Sequence, residues 1–210
     1  MTPVTLIYGT GNPAKLEHMR KMLAPLPVAI LGLRELGIAT PEPEESGSTP
    51  LENARIKALA YYHALRQPVF ACDSGLYIEG LPEDLQPGVH VRIKEGKRMN
   101  DAEMIAHYAA LVRSLGGRAV ARYKNAICLV TGENEIHEHF GDDISGDTFY
   151  LVDTPHAKHA EGFPLDCLSV HIESGEYYYD REGLRSESIG MCEGFQAFFM
   201  ALFPEHHTAP

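Results

Sequence analysis

The chain has 210 residues, 29 acidic and 18 basic, for a net charge of −11; that length holds one sizeable core, or two lobes sharing a sheet, rather than several independent domains. The acid excess argues against nucleic acid and anionic membrane as partners, yet a local cluster of lysines can still take a small anion. The four cysteines form no C-x-x-C pair, Met1 leads straight into an apolar strand, and no run reaches 18 apolar residues, so the reading is a soluble protein of the reducing cytoplasm, with neither zinc ribbon nor disulfide framework.

Val4 to Tyr8 reads as a strand closed by Gly9 and Gly11, and Asn12-Pro13 supplies the N-cap and first turn of a helix reaching about Leu23. Pro27 to Leu31 is a second strand, followed by a surface loop to Ser48 that carries Pro41, Pro43 and several glutamates. Thr49-Pro50-Leu51-Glu52 fits a capping box with proline at the first helical position. The helix it opens has a buried stripe of Leu51, Ala54, Ala58, Tyr61 or Tyr62, and Leu65. Lys57 sits on the flank of that stripe, four residues after Asn53, where its ammonium can reach past the core.

Val69 to Ala71 and Leu76 to Ile78 read as strands on either side of an Asp73-Ser74-Gly75 turn, and Leu81 to Asn100 as a long loop. Asp101 to Leu115 has helical spacing. Arg118 to Val130 is a long strand that pairs with Glu135 to Phe140 across Thr131 to Asn134. Further strands are expected at Asp147 to Val152, Leu168 to Ile172 and Tyr177 to Asp180, a last helix at Glu193 to Phe203, and a frayed tail from Pro204. Helices and strands intermix without a strict βαβ rhythm, which favours a mixed-sheet α/β fold.

Three segments carry chemistry. Gly9-Thr10-Gly11-Asn12-Pro13-Ala14 matches the G-x-G-x-x-A dinucleotide fingerprint in form, with Glu35 as a candidate ribose-binding acid. The regular βαβ unit is missing, so what remains is a helix N-terminus with Lys15 in its first turn, facing an anion. Glu44-Glu45 and Asp73-Ser74-Gly75 would each pass as polar loop or turn; together with Lys15 and Lys57 they assemble carboxylates for a hard cation or a water proton, and ammonium groups for phosphate. His137 with His139, His156 with His159, and His206-His207 read as surface residues, because no third ligand at a telling distance accompanies them. Tyr177-Tyr178-Tyr179 reads as strand packing or an interface.

The order of these segments resembles the inosine triphosphate pyrophosphatase family, which clears inosine and xanthosine triphosphates from the nucleotide pool. The likeness lies in Gly11-Asn12-Pro13-Ala14-Lys15, in Glu44-Glu45-Ser46-Gly47 with Glu52-Asn53-Ala54-Arg55-Ile56-Lys57-Ala58, in Asp73-Ser74-Gly75-Leu76 and in Pro87-Gly88-Val89. Gly162-Phe163-Pro164-Leu165-Asp166 can be laid on the family's G-F-G-Y-D. Two departures stand out. Cys72 replaces the first acid of the family's D-D-S-G-L, and the family's S-H-R, which helps recognise a 6-oxopurine, falls near Gly190-Met191-Cys192.

The resemblance implies an α/β fold with a long twisted mixed sheet and flanking helices, two lobes around a central cleft, and residues 1–210 as one two-lobed domain. It implies hydrolysis of a nucleoside triphosphate, with a non-standard purine among the candidates, to the monophosphate and pyrophosphate by metal-assisted attack of water on the α-phosphorus. Mg²⁺, with Mn²⁺ as an alternative, would be held by Glu45 and Asp73. Asp73, Lys15 and Lys57 would be catalytic, and Thr10, Asn12, Lys15, Lys57, Ser74, Phe163 and Asp166 would bind substrate, Phe163 by stacking on the base. The protein would be a cytoplasmic homodimer without nucleic-acid or membrane partners. The departures keep open a non-catalytic nucleotide-binding or regulatory protein on the same fold, and the glycine turn alone keeps open a dinucleotide-dependent oxidoreductase.

Overall fold

The computed structural model describes residues 3–181 and 189–203. In chain order its elements are β1 (Val4–Tyr8), α1 (Pro13–Leu23), β2 (Val28–Gly32), α2 (Pro50–Leu65), β3 (Val69–Ile78), β4 (Ile93–Lys94), β5 (Lys97–Arg98), α3 (Asp101–Ser114), β6 (Arg118–Gly132), β7 (Glu135–Phe140), β8 (Phe149–Val152), β9 (Ser169–Val170) and α4 (Ile189–Leu202). Short 3₁₀ turns lie between several of them. The main sheet runs β2-β1-β3-β6-β8-β9, with β7 also on β6. β1 pairs in parallel with β2 and β3, whereas β6 is antiparallel to β7 and β8. The mixed α/β sheet with flanking helices is the fold the sequence led us to expect. No described helix is long and apolar enough to cross a membrane.

Chain contacts divide the protein into two compact units. Of the described residues, the first holds 3–74, 125–145 and 189–203, and its strands are apolar on both faces. In β6, Ile127 and Leu129 join Leu6, Tyr8 and Phe70 under α1 and α4, while Ala126, Cys128 and Val130 join Ala71 under Ala54 and Ala58 of α2. Strand alternation therefore sends consecutive residues into two different helix layers. The second unit, described over residues 75–124 and 146–181, packs Leu76 and Ile78 with Met104, Tyr108 and Val112 of α3 and with Phe149 and Leu151 of β8.

Four local expectations change. Asp73-Ser74-Gly75 is not a turn but the middle of one ten-residue strand, β3. Tyr177 to Asp180 is not a strand: residues 178–180 form a 3₁₀ turn. Within the expected loop 81–100, Ile93–Lys94 and Lys97–Arg98 form a two-stranded hairpin. α4 begins four residues before Glu193, taking Gly190 into the helix. The expected frayed tail and the His206-His207 pair lie outside the described residues.

Gly194 has a packing reason. A methyl group there would overlap the Asp143 carbonyl, part of the 3₁₀ turn at Asp142–Ile144 against which α4 rests. Two effects oppose each other in Gly194→Ala. Alanine gains about 1 kcal/mol of helix propensity, while forcing backbone apart in a packed core costs about 1–3 kcal/mol. Because the obstacle is a main-chain carbonyl, the overlap should win, and the urea midpoint should fall. A raised midpoint would show that α4 can slide without cost.

Candidate active site

Asp73 lies in the first unit on the β3 face that looks at α2, and it is 6% exposed. A carboxylate so placed needs partners, since an unpaired buried charge costs several kcal/mol. α2 supplies two from consecutive turns. Lys57 Nζ lies 2.7 Å from Asp73 Oδ1 and 3.2 Å from Glu45 Oε2, and Asn53 Nδ2 donates to Asp73 Oδ2 at 3.2 Å. Two carboxylates from distant segments thus converge on one nitrogen.

Glu45 arrives through a loop fixed to the start of α2. The other end of the Asn53 amide accepts from Gly47 N at 2.8 Å, and a β-carbon on Gly47 would come within 2.7 Å of that same oxygen. Only glycine lets the loop lie this close. The capping box forms as read from the sequence: Thr49 Oγ1 accepts from Glu52 N, and Glu52 Oε2 accepts from Thr49 N and from both Ser48 N and Ser48 Oγ. These bonds, led by the one from the Ser48 hydroxyl, hold the Glu52 carboxyl below its usual range.

Cys72 faces the opposite way from Asp73, into the α1 and α4 layer with Phe70. Burial pushes its thiol up to about 12, against the downward pull of Lys15 and Lys57 and a hydrogen bond with the Tyr8 hydroxyl. The thiol is therefore neutral. Tyr8 stacks flat on Phe70 at 4.6 Å, and burial, reinforced by Cys72, raises its phenol well above the usual value.

Lys15 enters from the first turn of α1, whose N-cap Asn12 accepts from Ala14 N at 2.9 Å and from Lys15 N at 3.4 Å. Its pKa is lowered by burial first and by Lys57 second, with Asp73, Cys72 and Glu45 pulling the other way. Its ammonium has no hydrogen bond or ion pair among the described residues. Lys57 has the opposite balance: burial lowers its pKa, but Asp73 and Glu45 outweigh burial and raise it.

Of the other expected site residues, Thr10 Oγ1 accepts from Asn12 N at 3.2 Å, and Ser74 Oγ donates to Asn125 Oδ1 at 2.7 Å. The hydrogen bonds seen at Thr10, Asn12 and Ser74 are thus internal ones that shape the loop and strand. Phe163 and Asp166 belong to the second unit, at the 3₁₀ turn Pro164–Leu168. Asn53 and Asn125 were missed as site residues. Asn53 had a usable signal, its i,i+4 spacing from Lys57. Asn125, whose amide also reaches Ile144 O at 2.8 Å, had none.

Glu35 accepts from Arg20 Nη2 and Gly32 N, so the one acid that suited a dinucleotide ribose is committed to the fold. His139 pairs with Asp143, and His156 with Asp180 between the rings of Tyr177 and Tyr179, which makes His156 less of a surface residue than its sequence context suggested. Met191, where the S-H-R motif was expected, is 8% exposed in the core, its sulfur 3.3 Å from Asn125 Nδ2.

The Ham1 family model matches residues 6–171, most of the chain. The chain belongs to the Ham1 family. This Ham1-family protein is 36% identical over 137 residues to a dITP/XTP pyrophosphatase of Rhodopseudomonas palustris, and it spans 63% of that relative's length, with 63% of its own chain aligned. A Prochlorococcus marinus protein with the same name is 30% identical over 190 residues, covering 90% of this chain and 89% of the relative. In fold it is similar to a HAM1 protein from Coxiella burnetii, with a TM-score of 0.74, 24% identity, and coverage of 96% and 99% of the two chains. The resemblance drawn from the motifs is thereby borne out.

Within the second unit of this Ham1-family protein, two more of those motifs have a structural account. Leu76 and Gly88 exchange both backbone hydrogen bonds at 2.9 Å, and a β-carbon on Gly75 would meet the Gly88 carbonyl at 3.1 Å. Gly75 thus lets the Pro87–Gly88 loop pair with β3.

The lysines predict opposite effects on stability. Lys57→Met strands the buried Asp73 and should cost about 3–5 kcal/mol. Lys15 is destabilised as a cation in the folded state, so below its lowered pKa its charge opposes folding, and that opposition fades as pH climbs through the folded value towards the unfolded one. Lys15→Met should therefore leave stability at neutral pH equal to wild type or raise it. Urea titrations of both variants check this; a Lys15→Met protein as weakened as Lys57→Met would mean that Lys15 holds the fold together.

Proposed function

We propose that this protein hydrolyses a nucleoside triphosphate to its monophosphate and pyrophosphate. Support comes from relatives named dITP/XTP pyrophosphatase and, in the structure, from one observation: the Lys57 ammonium sits between Glu45 and Asp73, with the Lys15 ammonium, unpaired among the described residues, close enough to be shifted by all three. Carboxylates and ammonium groups that compensate one another in the free protein can be redistributed onto phosphate and water. In the reaction, a water oxygen attacks the α-phosphorus, the bond to the α–β bridging oxygen breaks, and pyrophosphate leaves with the bonding electrons. A water proton passes to the Asp73 carboxylate, which Asn53 and Lys57 hold by one oxygen each. Lys15 and Lys57 bind phosphate oxygens and offset the charge that builds up on them.

The residues present fit a hard divalent cation. Glu45 and Asp73 offer oxygen ligands converging within 3.2 Å of one point. Among the described residues no group of three or more His, Cys, Asp or Glu converges on a metal position. Water and phosphate oxygens would then complete the shell, as Mg²⁺ commonly requires, with Mn²⁺ as the alternative. Such an ion, when bound, supplies Lewis-acid polarisation of the phosphate oxygens.

Phe163 and Asp166 remain our candidates for base contact, on the strength of the motif alone. The setting we propose is a cytoplasmic homodimer, residues 1–210 acting as one nucleotide-handling domain on a free nucleotide; the net charge of −11 supports the absence of nucleic-acid and membrane partners.

A panel of purine and pyrimidine triphosphates with Mg²⁺ and a pyrophosphate readout tests the reading. Activity should vanish in excess EDTA. Glu45→Gln should raise the metal concentration needed, and Asp73→Asn should lose on the order of 10²- to 10⁴-fold in kcat. If every triphosphate is bound and none releases pyrophosphate, the protein is a nucleotide-binding module and the hydrolase reading fails.

The lowered pKa of Lys15 gives a second test. Pyrophosphate should hold Lys15 in its charged form, so on the alkaline side pyrophosphate binding should take up protons in the wild type, and measurably fewer in Lys15→Met, as read by calorimetry in buffers of different ionisation enthalpy. Equal uptake in the two proteins would remove Lys15 from the phosphate site.

A further inference from the structure

One polar group beside Lys57 has no part in the reaction proposed above. Tyr61 follows Lys57 by one turn of α2, and helical side chains lean towards the N-terminus, so the phenol lies over the turn that carries the ammonium. Tyr61 and Tyr62 are both buried, but in different clusters: Tyr62 packs with Ala54 and Ala58, and Tyr61 with Ile7 and Val69. Only 7% of Tyr61 is exposed.

The ring is fixed against the glycine turn. A β-carbon on Gly9 would come within 2.6 Å of Tyr61 Cδ2 and 3.0 Å of its Cε2, so the edge of the phenol lies on the backbone that leads into Thr10, Asn12 and Lys15. Gly9 N donates to Phe70 O at 2.8 Å, which ties the turn to β3. Held between α2 and this turn, the ring has its hydroxyl at the far end. That hydroxyl makes no hydrogen bond among the described residues, yet it is not sealed in the core. Burial raises its pKa against the pull of Lys57, and Glu45 and Glu42 add to the rise. The phenol is therefore neutral, and it stands among the charges of Lys57 and Glu45.

A neutral donor at this point needs no counter-charge. Lys57 is already balanced by two carboxylates, so an anion that engages it competes with both, whereas the Tyr61 hydroxyl has no bond to give up. Glu45 is the rival acceptor, and it takes its hydrogen bond from Lys57 instead. Ionised phosphate oxygens accept strong, charge-assisted hydrogen bonds. We propose that Tyr61 is a phosphate-binding residue of this site, its hydroxyl donating to an oxygen of the same pyrophosphate unit that Lys57 engages. The inference rests on the nucleotide-hydrolase reading for taking the anion to be a polyphosphate.

Tyr61→Phe removes only the hydroxyl and keeps the ring against Gly9, so its melting temperature should match that of the wild type. Titrated with inorganic pyrophosphate by calorimetry, with Mg²⁺ present throughout, the variant should bind at least about tenfold more weakly, the effect of one hydrogen bond to a charged group. The chain has no tryptophan, so its near-ultraviolet absorption belongs to tyrosine. Pyrophosphate should shift that absorption to the red in the wild type and leave it unmoved in Tyr61→Phe. Equal affinity of the two folded proteins, a red shift that survives in the variant, or a wild type that binds no pyrophosphate would overturn the proposal. Should the variant fail to fold, the wild-type spectrum decides alone, and its failure to shift would be the overturning result. Neither measurement involves turnover. Weakened pyrophosphate binding in Tyr61→Phe, in a protein that releases none from any triphosphate, would sink the hydrolase reading and leave Tyr61 on the phosphate; pyrophosphate release with unchanged binding in the variant would do the reverse.

Discussion

The ion pair between Lys57 and Asp73 is the constraint around which the first unit is arranged. Desolvating a carboxylate in the middle of a strand is expensive, and the ammonium reaching it must cross the same apolar layer, so neither is tolerable without the other. Their meeting fixes how α2 lies on β3. Asn53, one turn before Lys57, takes the second carboxylate oxygen and spends its own carbonyl on Gly47, which ties the Glu45 loop to the same point. A stability requirement and an arrangement of functional groups are thereby one structure.

How much of this was legible in the sequence depended on whether the signal was local. The α2 start was readable because the Thr49-Pro50-Leu51-Glu52 capping box is a contact between residues three apart, and it forms as read. The continuity of β3 was not, because Asp, Ser and Gly favour turns when judged by propensity alone. Here neighbours distant in sequence override propensity: Lys57 and Asn53 satisfy Asp73, Asn125 satisfies Ser74, and Gly75 gives way to Gly88. The α4 start was hidden by Gly190, which reads as a helix breaker, whereas Gly194, already inside the expected helix, is called for by the close approach of the Asp143 carbonyl. Among the proposed site residues, the charged groups were suggested by their types, whereas Asn125 is visible only through its partners on other elements.

The cysteine at position 72 acquires a meaning from the strand pleat. Consecutive residues of β3 face opposite helix layers, so an acid at position 72 would not simply double the charge at position 73. It would place that charge in the layer of α1, on the side from which Lys15 enters. With a neutral thiol there, Lys15 receives less compensation than Lys57, and the two lysines part in opposite directions from the ordinary lysine pKa. Lys57 is a cation whose charge the protein has already balanced. Lys15 is a cation with no hydrogen bond or ion pair among the described residues, and that lack of compensation is the ground on which we propose a phosphate group as its partner.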